Sequence, residues 1–126
     1  LGGTLLFLPQ DSSSPKSAPF SIPPDVSAQT NPVHPTAAST ALARKMYGYD
    51  CAMCHGADGD GKGDMAADLK THIKDYRDPA SLKGMTDGDL FYIIQKGKGE
   101  MPGEGDRAKP EQIWGMVTLV QSFGKK

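Results

Sequence analysis

The chain has 126 residues and a formal net charge of −1; 37% of its residues are hydrophobic and 23% are charged. This length suits one small domain, and a nearly neutral charge without long runs of one sign excludes the basic surface of a nucleic-acid-binding protein. The two cysteines stand three positions apart, which excludes a disulfide scaffold. Because so short a chain buries only about two thirds of its unfolded surface, an apolar prosthetic group bound to the folded state would add to its stability.

The first part of the chain predicts an arm rather than a domain. Seven of the ten prolines fall between residues 9 and 35, and proline disfavours helices and central strands because it fixes φ and donates no backbone hydrogen bond. We therefore expect an extended, irregular arm over residues 1–36, followed by a domain over residues 37–126. The opening apolar run, residues 1–8, is either the end of a signal or anchor segment that precedes Leu1 or a short contact segment.

The arm holds too little apolar material to form a core, so we expect it to be ordered only against another surface. Its apolar anchors are residues 5–8 and 20–22. That surface is either the back of the arm's own domain or a neighbouring protein in a complex, and we favour the neighbour.

Residues 37–126 predict an all-α domain. Thr36 follows a proline and is a suitable N-cap for a first helix that ends at the cysteine pair. The apolar residues of this helix recur at helical spacing; they are Ala38, Leu42, Met46 and Tyr49. Residues 56–64 contain four glycines and predict a loop, and a short helix is expected near residues 65–69.

Two further helices are predicted toward the C-terminus. Thr86 begins one of them, and Gly97 is a natural residue to end it. Pro110 begins the last helix at its first position. The apolar stripes of the two helices are Leu90, Ile93 and Ile94 in the former and Ile113, Val117, Val120 and Phe123 in the latter. No alternating run predicts a sheet.

The two cysteines belong to a C-x-x-C-H motif formed by Cys51, Cys54 and His55. Thiols three residues apart on a helical turn can add to the two vinyl groups along one porphyrin edge, and the adjacent histidine then reaches the iron as its proximal ligand. A structural zinc site would need four Cys or His ligands, and His72 has no partner histidine nearby. A thioredoxin-like pair would accompany a βαβ pattern, which is missing. The remaining alternative is a chance pair of inert cysteines.

At this point the sequence resembles class I monohaem cytochromes c of the short bacterial type. The resemblance covers residues 37–126 and is carried by the motif with its glycine loop, by residues 86–97, by Met101-Pro102 and by residues 110–114. It implies a small helical shell around one covalent haem c, in which the first and last helices cross. Three positions depart from the family pattern: Ala43 replaces the small glycine at the crossing, Leu119 replaces its aromatic counterpart, and Asp64 stands near an expected proline.

Met101 is the predicted sixth ligand of the iron. It lies in a loop rich in glycine and charge, where a core role makes little sense, and Pro102 stiffens its approach. The resemblance also places the distal Met-Pro here. Met46 and Met116 fit core roles on helices, whereas Met65 and Met85 remain weaker candidates.

The other candidate cofactor contacts are Tyr76, Arg77 and Trp114. Tyr76 and Arg77 are expected to donate hydrogen bonds to a haem propionate, against the alternative of an ordinary polar loop. Trp114 is expected to line the haem pocket as part of the core rather than to relay electrons.

These residues predict electron transfer without catalysis, because His/Met ligation fills both axial positions and leaves no site for a substrate. The expected partners are redox proteins, among them a larger membrane complex of photosynthesis or respiration contacted by the arm. The expected location is the periplasm or the outer face of the energy-transducing membrane. The alternative is a haem enzyme or gas sensor with a displaceable distal ligand.

Overall fold

The computed structural model describes residues 2–3 and 19–125, so the anchor at residues 5–8 lies outside the described residues. Within them the chain forms five α-helices: α1 Pro24–Ser27, α2 Ala37–Asp50, α3 Ala52–His55, α4 Asp87–Lys96 and α5 Pro110–Ser122. Two short 3₁₀ turns, Ala66–Asp68 and Pro79–Leu82, and two strands, β1 Gly97–Lys98 and β2 Met101–Pro102, complete it. The predicted all-α class is confirmed.

Helix α2 crosses α5, and the crossing contains small side chains. Ala43 is buried in one cluster with Leu119 and Val120 of α5. A Cβ added to Gly115 would lie 3.6 Å from the Cβ of Ala43, which is ordinary contact, so the two helices approach closely here. Alanine and glycine therefore supply the small surfaces that let the two backbones meet.

The predicted apolar stripe of α2 is wrong in part. Leu42 is 42% exposed and Tyr49 is 68% exposed, whereas the buried residues of the helix are Ala43 and Tyr47. Both sets recur at helical spacing, and packing against α5 selects the second. Tyr47 is buried because its ring packs against Phe123, at 5.2 Å between centroids, and its hydroxyl finds a hydrogen-bond partner.

Reciprocal capping pairs fix the predicted starts of α2 and α4. The Thr36 hydroxyl accepts from the Ser39 amide at 3.0 Å, and the Ser39 hydroxyl accepts from the Thr36 amide at 2.8 Å. Thr86 and Asp89 make the same reciprocal pair at the start of α4. These pairs satisfy backbone amides that the first turn leaves without partners.

Helices α4 and α5 build the main core. Leu90 and Ile94 of α4 are buried, as predicted, and so are Ile113, Val117 and Val120 of α5. The Phe91 and Trp114 rings lie 4.3 Å apart between centroids and join the two helices. Burying each such side chain contributes about 1.5–3 kcal/mol.

The described part of the arm packs on its own domain. Within it Pro24 begins the one-turn helix α1, a turn that the sequence analysis did not expect; proline is tolerated there because the first turn leaves that amide unbonded anyway. The Gly88 amide of α4 donates to the Gln29 carbonyl at 3.1 Å. Phe20 packs against Tyr92 with ring centroids 6.0 Å apart. Residues 19–36 therefore contact their own domain, the second of the two surfaces considered for the arm, and contact of the arm with a neighbouring protein stays a prediction.

Strands β1 and β2 pair antiparallel in a tight hairpin that the sequence analysis did not predict. Each strand is two residues long, too short to show an alternating pattern. Lys98 pairs with Met101, so the hairpin fixes the backbone around the predicted distal methionine.

Candidate haem site

The C-x-x-C-H motif forms a single helical turn directly after α2. The His55 amide donates to the Cys51 carbonyl at 2.9 Å, and the Cys54 amide donates to the same carbonyl at 3.2 Å. Cys51, Cys54 and His55 are all half-buried, and both cysteines are free thiols. The turn thus presents two thiols and an imidazole close together, as covalent attachment requires.

The glycine-rich loop folds back onto this turn through backbone hydrogen bonds. The Gly61 amide donates to the His55 carbonyl at 2.7 Å, Gly63 to Cys54 at 3.1 Å and Met65 to Met53 at 2.8 Å. These bonds satisfy carbonyls at the end of α3 that the short helix leaves free. Gly61 has a φ of +77°, and a Cβ at this position would lie only 2.6 Å from the Ile73 carbonyl oxygen, so glycine is needed here. The glycines therefore allow two backbone segments to lie against each other beneath the motif.

His55 has the protonation state and the freedom that an iron ligand needs. Burial lowers the pKa of its imidazole, which favours the neutral ring with a free lone pair. Its ring stacks on Tyr76 at 5.4 Å between centroids and an angle of 23°. Its Nδ1 atom is buried without a hydrogen-bond partner. The donor set of two thiols and one neutral imidazole fits a covalent haem.

Tyr47 supports the motif from α2, and the sequence analysis missed it. Its hydroxyl donates to the Gly56 carbonyl at 2.6 Å, directly after His55. Burial raises the pKa of Tyr47 far above its usual range, with smaller contributions from nearby acidic groups, so the hydroxyl keeps its proton and donates. The signal for Tyr47 in the sequence is its position four residues after Ala43, which places both residues on one face of the helix.

Met101, Met85 and Trp114 all lie at the main core cluster. Trp114 is buried, and Met101 is half-buried and packs against the cluster that contains Trp114. Of the weaker candidates, Met65 is 45% exposed. Met85 is half-buried and, with Tyr76, lines a cavity of about 460 Å³.

The two predicted propionate donors differ in their surroundings. Tyr76 is half-buried beside His55, and its amide donates to the Gly59 carbonyl at 2.7 Å. Arg77 is exposed, and its guanidinium bonds both oxygens of Asp75, at 3.0 and 2.9 Å. The Arg77 hydrogen bonds hold the pKa of the Asp75 carboxyl at about 2. The structure therefore brings Tyr76 to the motif but gives Arg77 another partner.

Sequence reasoning also missed a carboxylate that ties the Met101 hairpin to a second loop. Glu100 Oε1 accepts from the Lys70 amide at 3.0 Å, from the Thr71 amide at 3.2 Å and from the Thr71 hydroxyl at 3.3 Å. In the sequence Glu100 resembles an ordinary surface acid, because its partners are some thirty positions away.

Family comparison agrees with this geometry. Residues 38–120 match the family model described as cytochrome c oxidase, cbb3-type, subunit III. The chain belongs to this family. It is a monohaem class I cytochrome c, its cofactor is a covalent haem c, and its activity is haem-based electron transfer.

Solved structures show the same fold for this cytochrome. The KustC0563 c-type cytochrome is 26% identical with a TM-score of 0.58, over 66% of this chain and 98% of that chain. A chain of the Kuenenia stuttgartiensis reducing HAO-like protein complex Kustc0457/Kustc0458 is 22% identical with a TM-score of 0.65, over 73% of this chain and 46% of that one. No curated protein matches the chain.

Two kinds of feature are missing from the part of the cytochrome that the structure describes. Among residues 2–3 and 19–125, no helix has both the length and the apolar character of a bilayer span. Within the same ranges, no three His, Cys, Asp or Glu side chains converge as a metal-binding group.

Proposed function

We propose that this cytochrome is a one-electron carrier whose haem is attached through Cys51 and Cys54, with His55 and Met101 as the axial ligands. The observation that carries the proposal is the half-buried helical turn that presents both thiols and the imidazole of His55. When bound, the haem supplies the redox chemistry, and the protein supplies burial, ligation and docking. With both axial positions filled, no open position remains for a substrate, which favours a carrier over an enzyme.

The position of Met101 supports its role as distal ligand. Its hairpin is fixed by the pairing of Lys98 with Met101, and Glu100 holds it to the loop at residues 70–71. Met85 shares its cavity with Tyr76, whose ring lies against His55. Met85 would therefore lie near the proximal ligand His55, which favours Met101 as the sixth ligand. A thioether ligand favours ferrous iron and raises the reduction potential.

For the other cofactor contacts, we propose that Tyr76 and Trp114 line the haem pocket. Tyr76 would donate to a propionate through its hydroxyl. Arg77 would donate to a propionate only after breaking its two hydrogen bonds with the Asp75 carboxylate.

We propose that the redox partners belong to a larger membrane complex, and that this complex is respiratory rather than photosynthetic because the matched family is described as an oxidase subunit. The similar chain from Kuenenia stuttgartiensis also comes from a protein complex. Cytochrome c domains typically work outside the cytoplasm, so we place this one in the periplasm or on the outer membrane face. Contact between the arm and the complex is proposed only for the part before residue 19, since residues 19–36 are seated on α4 and α5.

Substitution of the distal ligand tests the proposal. Met101→Ala should lower the reduction potential, abolish the near-infrared sulfur-to-iron band of the ferric protein and allow the ferrous protein to bind CO. Met85→Ala is the matched control and should leave the band and the CO behaviour unchanged. If Met85→Ala abolishes the band while Met101→Ala keeps it, Met85 is the ligand.

Native protein tests the carrier against the alternative of a haem enzyme or gas sensor. Rapid CO or cyanide binding by the unmodified cytochrome would support a displaceable distal ligand. A protein that is reversibly reduced and that resists both ligands would support the carrier.

A further inference from the structure

One acidic side chain is buried close to the attachment motif. Glu104 is 3% exposed and is the only charged residue that is buried among residues 2–3 and 19–125. Its backbone is fixed, because its amide donates to the Ile94 carbonyl of α4 at 2.8 Å, and its own carbonyl accepts from the amides of Arg107 and Ala108. Its side-chain atom Oε2 is buried without a hydrogen-bond partner. Carboxylate oxygens in such a position are uncommon and call for a physical explanation.

A second acid and one arginine surround this carboxyl. Arg107 Nη2 lies 3.3 Å from Glu104 Oε1, and Arg107 Nη1 lies 3.8 Å from Asp50 Oδ1. Two carboxyl groups therefore share one guanidinium. An ionised carboxylate can only accept hydrogen bonds, so Asp50 can satisfy Glu104 Oε2 only when one of the two acids carries a proton. The arrangement resembles other carboxyl pairs that share a proton because two like charges lie close together.

The electrostatics agree with this geometry. Burial and the charge of Asp50 raise the pKa of the Glu104 carboxyl, and the charge of Arg107 opposes them. Asp50 and Arg107 are the charged groups that face Glu104 from α2 and from its own loop; on α4 it meets the carbonyl of Ile94. Asp50 has a 25% exposed side chain and Arg107 a 58% exposed one, so the pair has a contact with water.

The pair also lies beside the haem attachment point. Asp50 is the last residue of α2 and immediately precedes Cys51. Burial raises the pKa of the Cys51 thiol to about 12, and the charges of Glu104 and Asp50 contribute to the increase. Because these carboxylates lie next to the cysteine that would carry the haem, their negative charge would stabilise ferric over ferrous iron once the cofactor is bound.

We propose that Glu104, paired with Asp50, is a redox-linked proton site: it takes up one proton from solvent when the cytochrome accepts one electron and releases it when the electron leaves. The balance is one electron from the donor protein to the ferric haem and one proton from water, through Asp50, to Glu104. The physical reason is charge compensation, because an ionised Glu104 stabilises ferric iron and a protonated one stabilises ferrous iron. The proposal rests on the proposed electron-transfer function and adds proton coupling to it.

The test is an equilibrium redox titration of the holoprotein from about pH 4 to about pH 9, a range that covers ordinary and raised carboxyl pKa values. The potential should fall as the pH rises between the Glu104 pKa of the oxidised form and that of the reduced form. The steepest slope for one proton and one electron is about 59 mV per pH unit. Glu104→Gln keeps the shape of the side chain without its charge and should hold the potential at the high, low-pH level of the native protein, without that slope.

Two further variants test whether the cluster acts as a unit. Asp50→Asn removes the neighbouring acid and should move the sloping region to lower pH, whereas Arg107→Gln should move it to higher pH. Glu111→Gln removes an exposed acid of α5 and should leave the slope in place.

Proton uptake on reduction, measured with a pH indicator in weak buffer, gives an independent readout. It should be present in the native protein and missing in Glu104→Gln. A flat native titration, or a slope that survives Glu104→Gln, would overturn the proposal while leaving electron transfer intact. A protein that cannot be reversibly reduced would instead contradict the electron-transfer function itself.

Discussion

Removal of the Asn31 side chain tests how the arm is held. Asn31 Nδ2 donates to the Trp114 carbonyl and to the Thr118 hydroxyl, both at 3.0 Å, and its Oδ1 accepts from the Val33 amide at 2.9 Å. The side chain thereby connects the arm to α5 through half-buried hydrogen bonds. Asn31→Ala removes all three bonds and leaves the backbone bond from Asn31 to Asp87 in place.

The expected destabilisation follows from these contacts. One hydrogen bond contributes a net of about 0.5–1.5 kcal/mol. Since the site is half-buried and water can replace part of the loss, we expect about 2 kcal/mol for the three bonds. In a domain of this size that free energy corresponds to a fall in Tm of about 8 °C.

Thermal and urea unfolding of the holoprotein measure the effect. Gln29→Ala is the matched control, because it changes an exposed side chain of the same segment and keeps the carbonyl that the Gly88 amide uses. The control should stay within about 0.5 kcal/mol of the native protein. If Asn31→Ala also stays within that range, residues 19–36 do not stabilise the domain in solution, and the own-domain seat of the arm is refuted.

Two more predictions concern the arm and the hairpin. Gly88→Ala should destabilise the protein, because a Cβ at this position would overlap the carbonyl oxygen of Val26. The control is Gly48→Ala on α2, where a Cβ would meet open space, and it should stabilise the protein by about 0.5–1 kcal/mol. Equal unfolding midpoints for the two variants would contradict the close approach of α4 to Val26. Glu100→Ala should weaken the hold on the Met101 hairpin, so the ferrous protein should bind CO at least several-fold faster than native protein with little change in potential. An unchanged rate would show that the Glu100 contacts do not restrain the hairpin.

Those parts of this cytochrome that depend on neighbouring residues could be predicted from the amino-acid sequence. The attachment motif needs one helical turn, and its residues are consecutive. Thr36 and Thr86 cap their helices through residues three positions away, and Pro110 begins α5 because its missing amide is not needed there. Such local features are visible in the sequence because their geometry is complete within a few residues.

Long-range packing selected among several acceptable local choices, and the sequence left these open. The face of α2 was ambiguous because Leu42 and Tyr49 fit the helical period as well as Ala43 and Tyr47 do, and contact with α5 buried the second pair. The burial of Glu104 was equally hidden, since its loop is rich in glycine and charge, a composition typical of solvent-exposed segments. Its environment comes from α2 and α4, which are distant along the chain. Burial depends on what packs from elsewhere, and a sequence read one segment at a time does not contain that information.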